Sequence, residues 1–289
     1  MRNFSKLLII VNALIMVTLV LGDVTSAQQE PKRNITKITG DLYRFQNNFH
    51  YSVFLVTPEG VIVTDPISAE AAGWLKAEIT KRFNKPIKYL IFSHDHRDHV
   101  AGGEAFGDTV LIIAHENTKS AIIGEKRPTA VPHITFSHSM TVELGGKTVE
   151  LSYVGRNHSN NSVVMRFPAE RALFAVDFIP VKAVAYRNFP DAYIPDWMES
   201  LKRVEAMDFD ILVPGHGSLG TKADVRAFRD YLEDLHHAVL EQARAGKSLE
   251  EMQQSIRLEK YKEWFRYEEF LPLNIEGMYS RINLHRRGN

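Results

Sequence analysis

The feature that most constrains this chain is a short apolar run ending in a knot of histidines. Ile87-Lys88-Tyr89-Leu90-Ile91-Phe92 leads straight into Ser93-His94-Asp95-His96-Arg97-Asp98-His99. The run predicts a buried strand. On an extended backbone alternate side chains share a face, so His94 and His96 can address one ion from the strand end. Asp98 and His99 lie beyond, where the chain must turn, and can serve a second ion close by. Histidine is the commonest metal ligand, and a carboxylate beside it suits a hard divalent cation.

Elements on both sides of the knot alternate in the manner of a layered α/β protein. Tyr51–Thr57 and Val61–Thr64 are β-branched runs separated by Pro58-Glu59-Gly60, a hairpin signal. Ser68 predicts a helix cap, with a buried face of Ala72, Leu75, Ile79 and Phe83, and Pro86 ends that segment. A short helix over Val100–Phe106, a strand over Val110–Ala114 and a helix over Glu116–Ile123 follow. Gly124–His138 is expected to be a loop. A second group of strands covers Thr141–Leu144, Thr148–Val154, Ser162–Phe167 and Ala172–Val176. An irregular stretch through Tyr186–Asp196 precedes a helix over Trp197–Met207 and a strand over Ile211–Val213. Thr221 and Asp224 form a capping box for a helix whose apolar face is Val225, Phe228, Leu232, Leu235 and Val239. The remainder, Ser248–His285, is expected to be mostly helical.

The N-terminus differs from the rest. Arg2 and Lys6 precede an apolar run from Leu7 to Gly22, and Thr25-Ser26-Ala27 supplies small residues at a cleavage position. This pattern predicts a signal peptide over 1–27, an exported (periplasmic or secreted) protein, and one mature domain over 28–289. The run is shorter than the ~20 residues a spanning helix needs and is interrupted by Asn12, which disfavours stable membrane insertion. The chain has 35 basic and 35 acidic residues, which gives no electrostatic reason to expect nucleic acid as a partner. It has no cysteine, hence no disulfide, no thiolate ligand and no lipidated anchor.

Three further residues stand at the ends of expected strands. His158 follows Tyr153-Val154-Gly155-Arg156-Asn157, Asp177 follows Leu173-Phe174-Ala175-Val176, and His216 follows Ile211-Leu212-Val213-Pro214-Gly215. Each is a polar residue just past an apolar run, where burial is costly without a partner. Metal ions provide one.

The pattern His94-x-His96-x-Asp98-His99, followed by His158, Asp177 and His216, resembles the metallo-β-lactamase superfamily. The resemblance implies a four-layer αββα sandwich in which two mixed β-sheets lie face to face between helices. It also implies two divalent metal ions at one edge of the sandwich. His94, His96 and His158 would hold the first, and Asp98, His99 and His216 the second. Asp177 would bridge them or lean toward the second. Zinc is the first expectation, while manganese or iron would tolerate the extra carboxylate.

The implied chemistry is hydrolysis, with hydroxide between two ions attacking an acyl carbon of a small-molecule lactam, lactone, ester or thioester. Asp98 is the expected catalytic residue, orienting the hydroxide and passing on a proton. Two alternatives remain. A β-lactamase proper is disfavoured by Asp177 standing where one lactamase subclass has a cysteine, although export favours it. An iron-dependent oxidoreductase resembling persulfide dioxygenases would leave His99 and His216 without a direct task. Asp95 and Arg97 are expected to face away from the ions. His115, His133, His138, His236 and His237 are expected to play surface or supporting roles. Asn160 and Asn161 suit turn chemistry or an oxyanion, and Tyr186, Tyr193 and Trp197 suit either packing or a substrate pocket.

Overall fold

A computed structural model describes residues 30–286. The chain enters as an antiparallel meander of β1 (Arg33–Thr39), β2 (Leu42–Asn47), β3 (His50–Thr57) and β4 (Gly60–Thr64). Asn48, at φ 55°, turns the β2–β3 hairpin, and Pro58-Glu59 turns the next. Helix α1 (Ala69–Phe83) is capped by Ser68, whose side chain accepts from the Ala71 amide, and it ends on Asn84 in the left-handed conformation. It returns the chain so that β5 (Ile87–Ile91) pairs parallel with β4. The single turn α2 (Arg97–Val100) and a 3₁₀ turn at Gly103–Phe106 lead to β6 (Leu111–His115), α3 (Glu116–Gly124) and the short β7 (Ile134–Phe136). These seven strands form one mixed sheet in chain order.

The second sheet has five strands, in the order β12-β11-β10-β9-β8. They are β8 (Ser139–Leu144), β9 (Lys147–Tyr153), β10 (Val163–Phe167), β11 (Ala172–Val176) and β12 (Ile211–Pro214). The first four are antiparallel, while β12 joins β11 in parallel after the crossover helix α4 (Ile194–Glu205). Helices α5 (Lys222–Arg244), α6 (Leu249–Ser255) and α7 (Tyr267–Arg286) complete the chain.

Three apolar layers hold this together. Leu55, Ile62, Ile91, Leu151, Met165, Phe174 and Val213 interdigitate between the sheets. Ala72, Leu75 and Ile79 of α1 cover the outer face of the first sheet against Phe45, Val63 and Leu90. Leu201 of α4 and Val225, Phe228, Leu232 and Leu235 of α5 cover the second sheet against Val164, Leu173 and Leu212. The result is the expected αββα sandwich with two mixed sheets. Among the described residues no helix is long and apolar enough to cross a membrane. The expected signal peptide lies outside the described residues.

Some local expectations need correction. The helix expected over Val100–Phe106 is broken in two, because Ala101 is extended and Gly102 sits at φ 85°. A Cβ at Gly102 would lie 2.0 Å from the Ala69 amide nitrogen, so only glycine lets the start of α1 pack there. The expected loop 124–138 contains β7, a three-residue edge strand recruited by parallel pairing with β6. Helix α4 starts at Ile194 rather than Trp197, with Pro195 in its first turn, where a missing amide hydrogen costs nothing.

Candidate metal centre

Strand ends from both sheets converge on one edge of the sandwich. His94 and His96 follow β5, His158 lies between β9 and β10, Asp177 follows β11, and His216 follows β12. Asp98 and His99 project from the single turn α2. His94, His96, His158 and Asp177 bring one donor atom each within 4.8 Å of one another, and so do Asp98, His99, Asp177 and His216. All seven residues expected to be ligands are thus brought together, and Asp177 belongs to both groups.

The imidazoles are aimed by bonds on their outer nitrogens. Asp65, fully buried after β4, accepts from the Ser93 amide at 2.8 Å and from Ser93 Oγ at 2.6 Å. Ser93 Oγ lies 2.9 Å from His94 Nδ1, and His99 Nδ1 lies 3.1 Å from Asp65 Oδ2. His158 Nδ1 contacts Asn157 Oδ1 at 3.0 Å, and His216 Nδ1 contacts the Phe49 carbonyl at 2.9 Å. With Nδ1 donating in each case, the neutral ring has its lone pair on Nε2, which faces its neighbours, as metal-binding histidines require. His96 is approached differently, by Asp191 Oδ2 at 3.4 Å from its Nε2.

The electrostatics split the cluster. Burial pushes the His158 imidazole down to about 3 and holds His94 well below the ordinary value, so both are neutral near pH 7. Burial would do the same to His99, but the Asp177 and Asp65 carboxylates raise it well above that value. Burial would raise Asp177, yet the charges of His99 and His216 pull it well below the carboxylate range. Asp98 is held down to about 2, since the bond from His50 and the charges of His99 and His216 outweigh its burial.

The donor set suits a cation. His94 Nε2, His158 Nε2 and Asp177 Oδ1 are buried without a hydrogen-bond partner from the protein. Three such atoms in one pocket would each forfeit the bonds they had in water. Three neutral or anionic donors around a divalent ion remove that cost. Backbone geometry supports the same focus. Asp65 at φ 27° and Val176 at φ 45° have positive φ, which the β-branched Val176 strongly resists. Gly215 packs so closely that a Cβ would lie 2.5 Å from Asp177 Oδ1 and 2.9 Å from His99 Cε1.

A profile described as the Metallo-beta-lactamase superfamily matches residues 47–216. The chain belongs to this superfamily. It is 26% identical over 266 residues to the 2,4-dinitroanisole O-demethylase subunit alpha of Nocardioides sp. (strain JS1661), covering 88% of this chain and 81% of that protein. It is 27% identical over 202 residues to a metallo-beta-lactamase type 2 of Elizabethkingia meningoseptica, covering 65% of this chain and 80% of the relative. A metallo-beta-lactamase structure from Pontibacter korlensis superposes with a TM-score of 0.63 at 22% identity, covering 70% of this chain and 99% of that one. That likeness shows the metallo-β-lactamase fold.

Other residues singled out in the sequence fall outside the cluster. His115 takes a buried supporting role; its Nδ1 accepts from the Asn117 amide, and its ring stacks on Tyr153 at 4.2 Å. His133 accepts from the Ile112 amide, and His236 and His237 lie on α5. Asp95 turns away to Arg127 and to Asn161, whose side-chain amide is thereby committed to structure rather than to an oxyanion. Trp197 is a core residue bonded to the Phe178 carbonyl, whereas Tyr186 is exposed.

Four residues at the superfamily site escaped the sequence reading: His50, Asp65, Asp191 and Arg44. Asp65 carries the same signal as Asp177, a lone carboxylate closing an apolar strand. Arg44 is buried beneath Tyr51 at 3.6 Å and donates to the carbonyls of Pro214 and Gly217, either side of His216. Nothing local marks His50, Arg44 or Asp191, because their partners are far away in sequence.

Proposed function

We propose that the protein is a dinuclear metal-dependent hydrolase acting on a small molecule with an activated acyl bond: a lactam, lactone, ester or thioester. The observation that carries this reading is the pair of overlapping four-donor groups sharing Asp177. His94, His96 and His158 would hold one ion, Asp98, His99 and His216 the other, and Asp177 both. Zinc fits the histidine-rich set best. Ions bound there supply Lewis acidity and lower the pKa of water toward neutrality.

The chain's own residues complete the chemistry. Asp98 is the most exposed of the carboxylate donors, with 46% of its side chain accessible against 14% for Asp177. Its carboxylate would orient the attacking water, take its proton and return it to the leaving group. Asp65, Ser93, Asn157 and the Phe49 carbonyl keep the imidazoles turned inward throughout.

Asp177 in place of a thiolate, in a chain without cysteine, favours a broad hydrolase over a strict β-lactamase. The relative named for O-demethylation of 2,4-dinitroanisole adds an aryl methyl ether to the bonds worth testing. We further propose that the protein is exported, on the signal pattern of residues 1–27.

The test is elemental analysis together with hydrolysis of nitrocefin, a homoserine lactone, a glutathione thioester, a phosphotriester and 2,4-dinitroanisole side by side. Two divalent ions per chain and turnover of an acyl substrate support the reading. Fewer than one bound metal per chain with no turnover overturns it. Iron with oxygen uptake would instead favour an oxidoreductase.

A further inference from the structure

His50 belongs to neither four-donor group, yet it stands at their mouth. It is the first residue of β3, and its side chain is about one-third exposed, at 31%. Its Nε2 lies 3.2 Å from Asp98 Oδ2, a hydrogen-bonding distance. Its ring packs edge-on against His216, with centroids 4.9 Å apart.

The hairpin that carries His50 is anchored to the same half of the site at three consecutive residues. The Phe49 carbonyl accepts from His216 Nδ1, His50 meets Asp98, and the Tyr51 amide donates to the Gly215 carbonyl at 2.8 Å. Arg44 on the neighbouring strand fastens the carbonyls of Pro214 and Gly217 from behind. His50 is therefore held in place by the backbone on either side of it.

Asp98 needs such a partner more than the other donors do. His99 is pinned by Asp65 and His216 by Phe49, whereas Asp98 projects from a helix of one turn. The nearest nitrogens of His99 and His216 lie 3.8 and 3.7 Å from Asp98 Oδ2, too far to hydrogen-bond it. Of the three imidazoles beside this carboxylate, His50 comes closest.

We propose that His50 is a positioning residue for Asp98, donating from Nε2 to fix the carboxylate toward the second ion. This rests on the two-ion reading above. The histidine acts through hydrogen-bond donation alone. A side chain of similar reach that carries a donor should therefore replace it, and one that carries only a ring should not. Supporting hydrogen bonds of this kind change metal affinity by about 10–100-fold when removed.

The experiment uses the full chain, stripped of metal and titrated with Co²⁺, whose absorption bands report each equivalent as it binds. Wild type should take up two equivalents. His50→Phe should bind the second about 10–100-fold more weakly while the first equivalent and the melting temperature stay unchanged. His50→Gln should recover most of the lost affinity. If wild type binds fewer than two equivalents, the two-ion reading itself fails, and this inference with it. If wild type binds two and His50→Phe binds both as tightly, the role assigned to His50 alone is overturned. If His50→Gln is as weak as His50→Phe, the imidazole acts by direct ligation and donation to Asp98 is likewise overturned.

Discussion

Asp65 bonds to His99 Nδ1 at 3.1 Å with both side chains wholly buried, and through Ser93 Oγ the same carboxylate reaches His94. One residue thus sets the orientation of an imidazole in each donor group. Asp65→Asn keeps the shape but removes the charge and, with its oxygen still accepting from the Ser93 amide, sets an NH2 group against Ser93 Oγ and His99 Nδ1, which donate to the carboxylate. A buried group left without its partner costs about 1–3 kcal/mol. The variant should melt at a lower temperature and bind both metal equivalents more weakly, by about 10–100-fold. Calorimetric melting and a chelator-competition titration check this, and unchanged affinity at either group refutes it.

Asp98→Ala removes a half-exposed side chain that both holds the second ion and handles the proton. Loss of its proton-handling oxygen should cut turnover by about 10²–10⁴-fold. Melting of the metal-free protein should stay within experimental error of wild type. Full activity in a variant shown to carry two ions would mean that another group moves the proton.

Gly215→Ala places a methyl group 2.5 Å from Asp177 Oδ1 and 2.9 Å from His99 Cε1. Neither neighbour can yield easily, because His99 is pinned by Asp65 and Asp177 follows the strained Val176. The methyl group should displace the shared carboxylate. We expect a folded protein with reduced metal content, measured by circular dichroism and elemental analysis of the same sample. A fully loaded, active variant would show that the loop after β12 relaxes freely.

Burial holds His158 down to about 3 from an ordinary value of 6.5. In the metal-free protein the unfolded chain therefore takes up a proton below pH 6.5 that the folded chain refuses until about 3. Stability is complete above 6.5 and falls as the pH drops through that window, by about 1.4 kcal/mol per pH unit at most. His158→Gln lacks this proton, so the variant's stability relative to wild type should rise as the pH falls from 6.5 toward 4. Parallel pH profiles from denaturant titrations would contradict the assignment.

The ligands are legible because most follow an apolar strand within a few residues and Asp98 and His99 continue the histidine-rich run after β5, so that hydropathy and residue type point to one place. Asp177 after Leu173–Val176 and His216 after Ile211–Pro214 show this plainly. His50, Arg44 and Asp191 lacked that signal, since each acquires its role from a partner brought near only by folding. Arg44 meets carbonyls 170 and 173 residues away. The strand β7 is illegible for a related reason: three residues just after Pro132-His133 become a strand only because β6 offers an open edge. Tertiary pairing, rather than propensity, makes that element.

Asn274 on α7 explains how the long stretch before α4 is held over the site. It is fully buried, donates from Nδ2 to the carbonyls of Ala185 and Arg187, and accepts from Tyr231 Oη. Next to it, a Cβ at Gly277 would lie 2.3 Å from the Asn188 carbonyl oxygen, so the helix and this stretch are in contact. The stretch carries Lys182, Arg187 and Phe189 at positive φ, conformations that need an external hold. It also presents Asp191 to His96. Asn274→Ala removes that hold and leaves two buried polar partners, the Ala185 carbonyl and the Tyr231 hydroxyl, unsatisfied, each at a cost of about 1–3 kcal/mol. The stretch should loosen locally before the sandwich unfolds, because α5 and the second sheet keep their own apolar contacts. Trypsin should then cut at Lys182 or Arg187 at a rate well above that of wild type, and binding of the first ion should weaken as Asp191 leaves His96. Equal cleavage rates in wild type and variant would show that Tyr186–Asp196 is held by its own packing, with Asn274 a bystander.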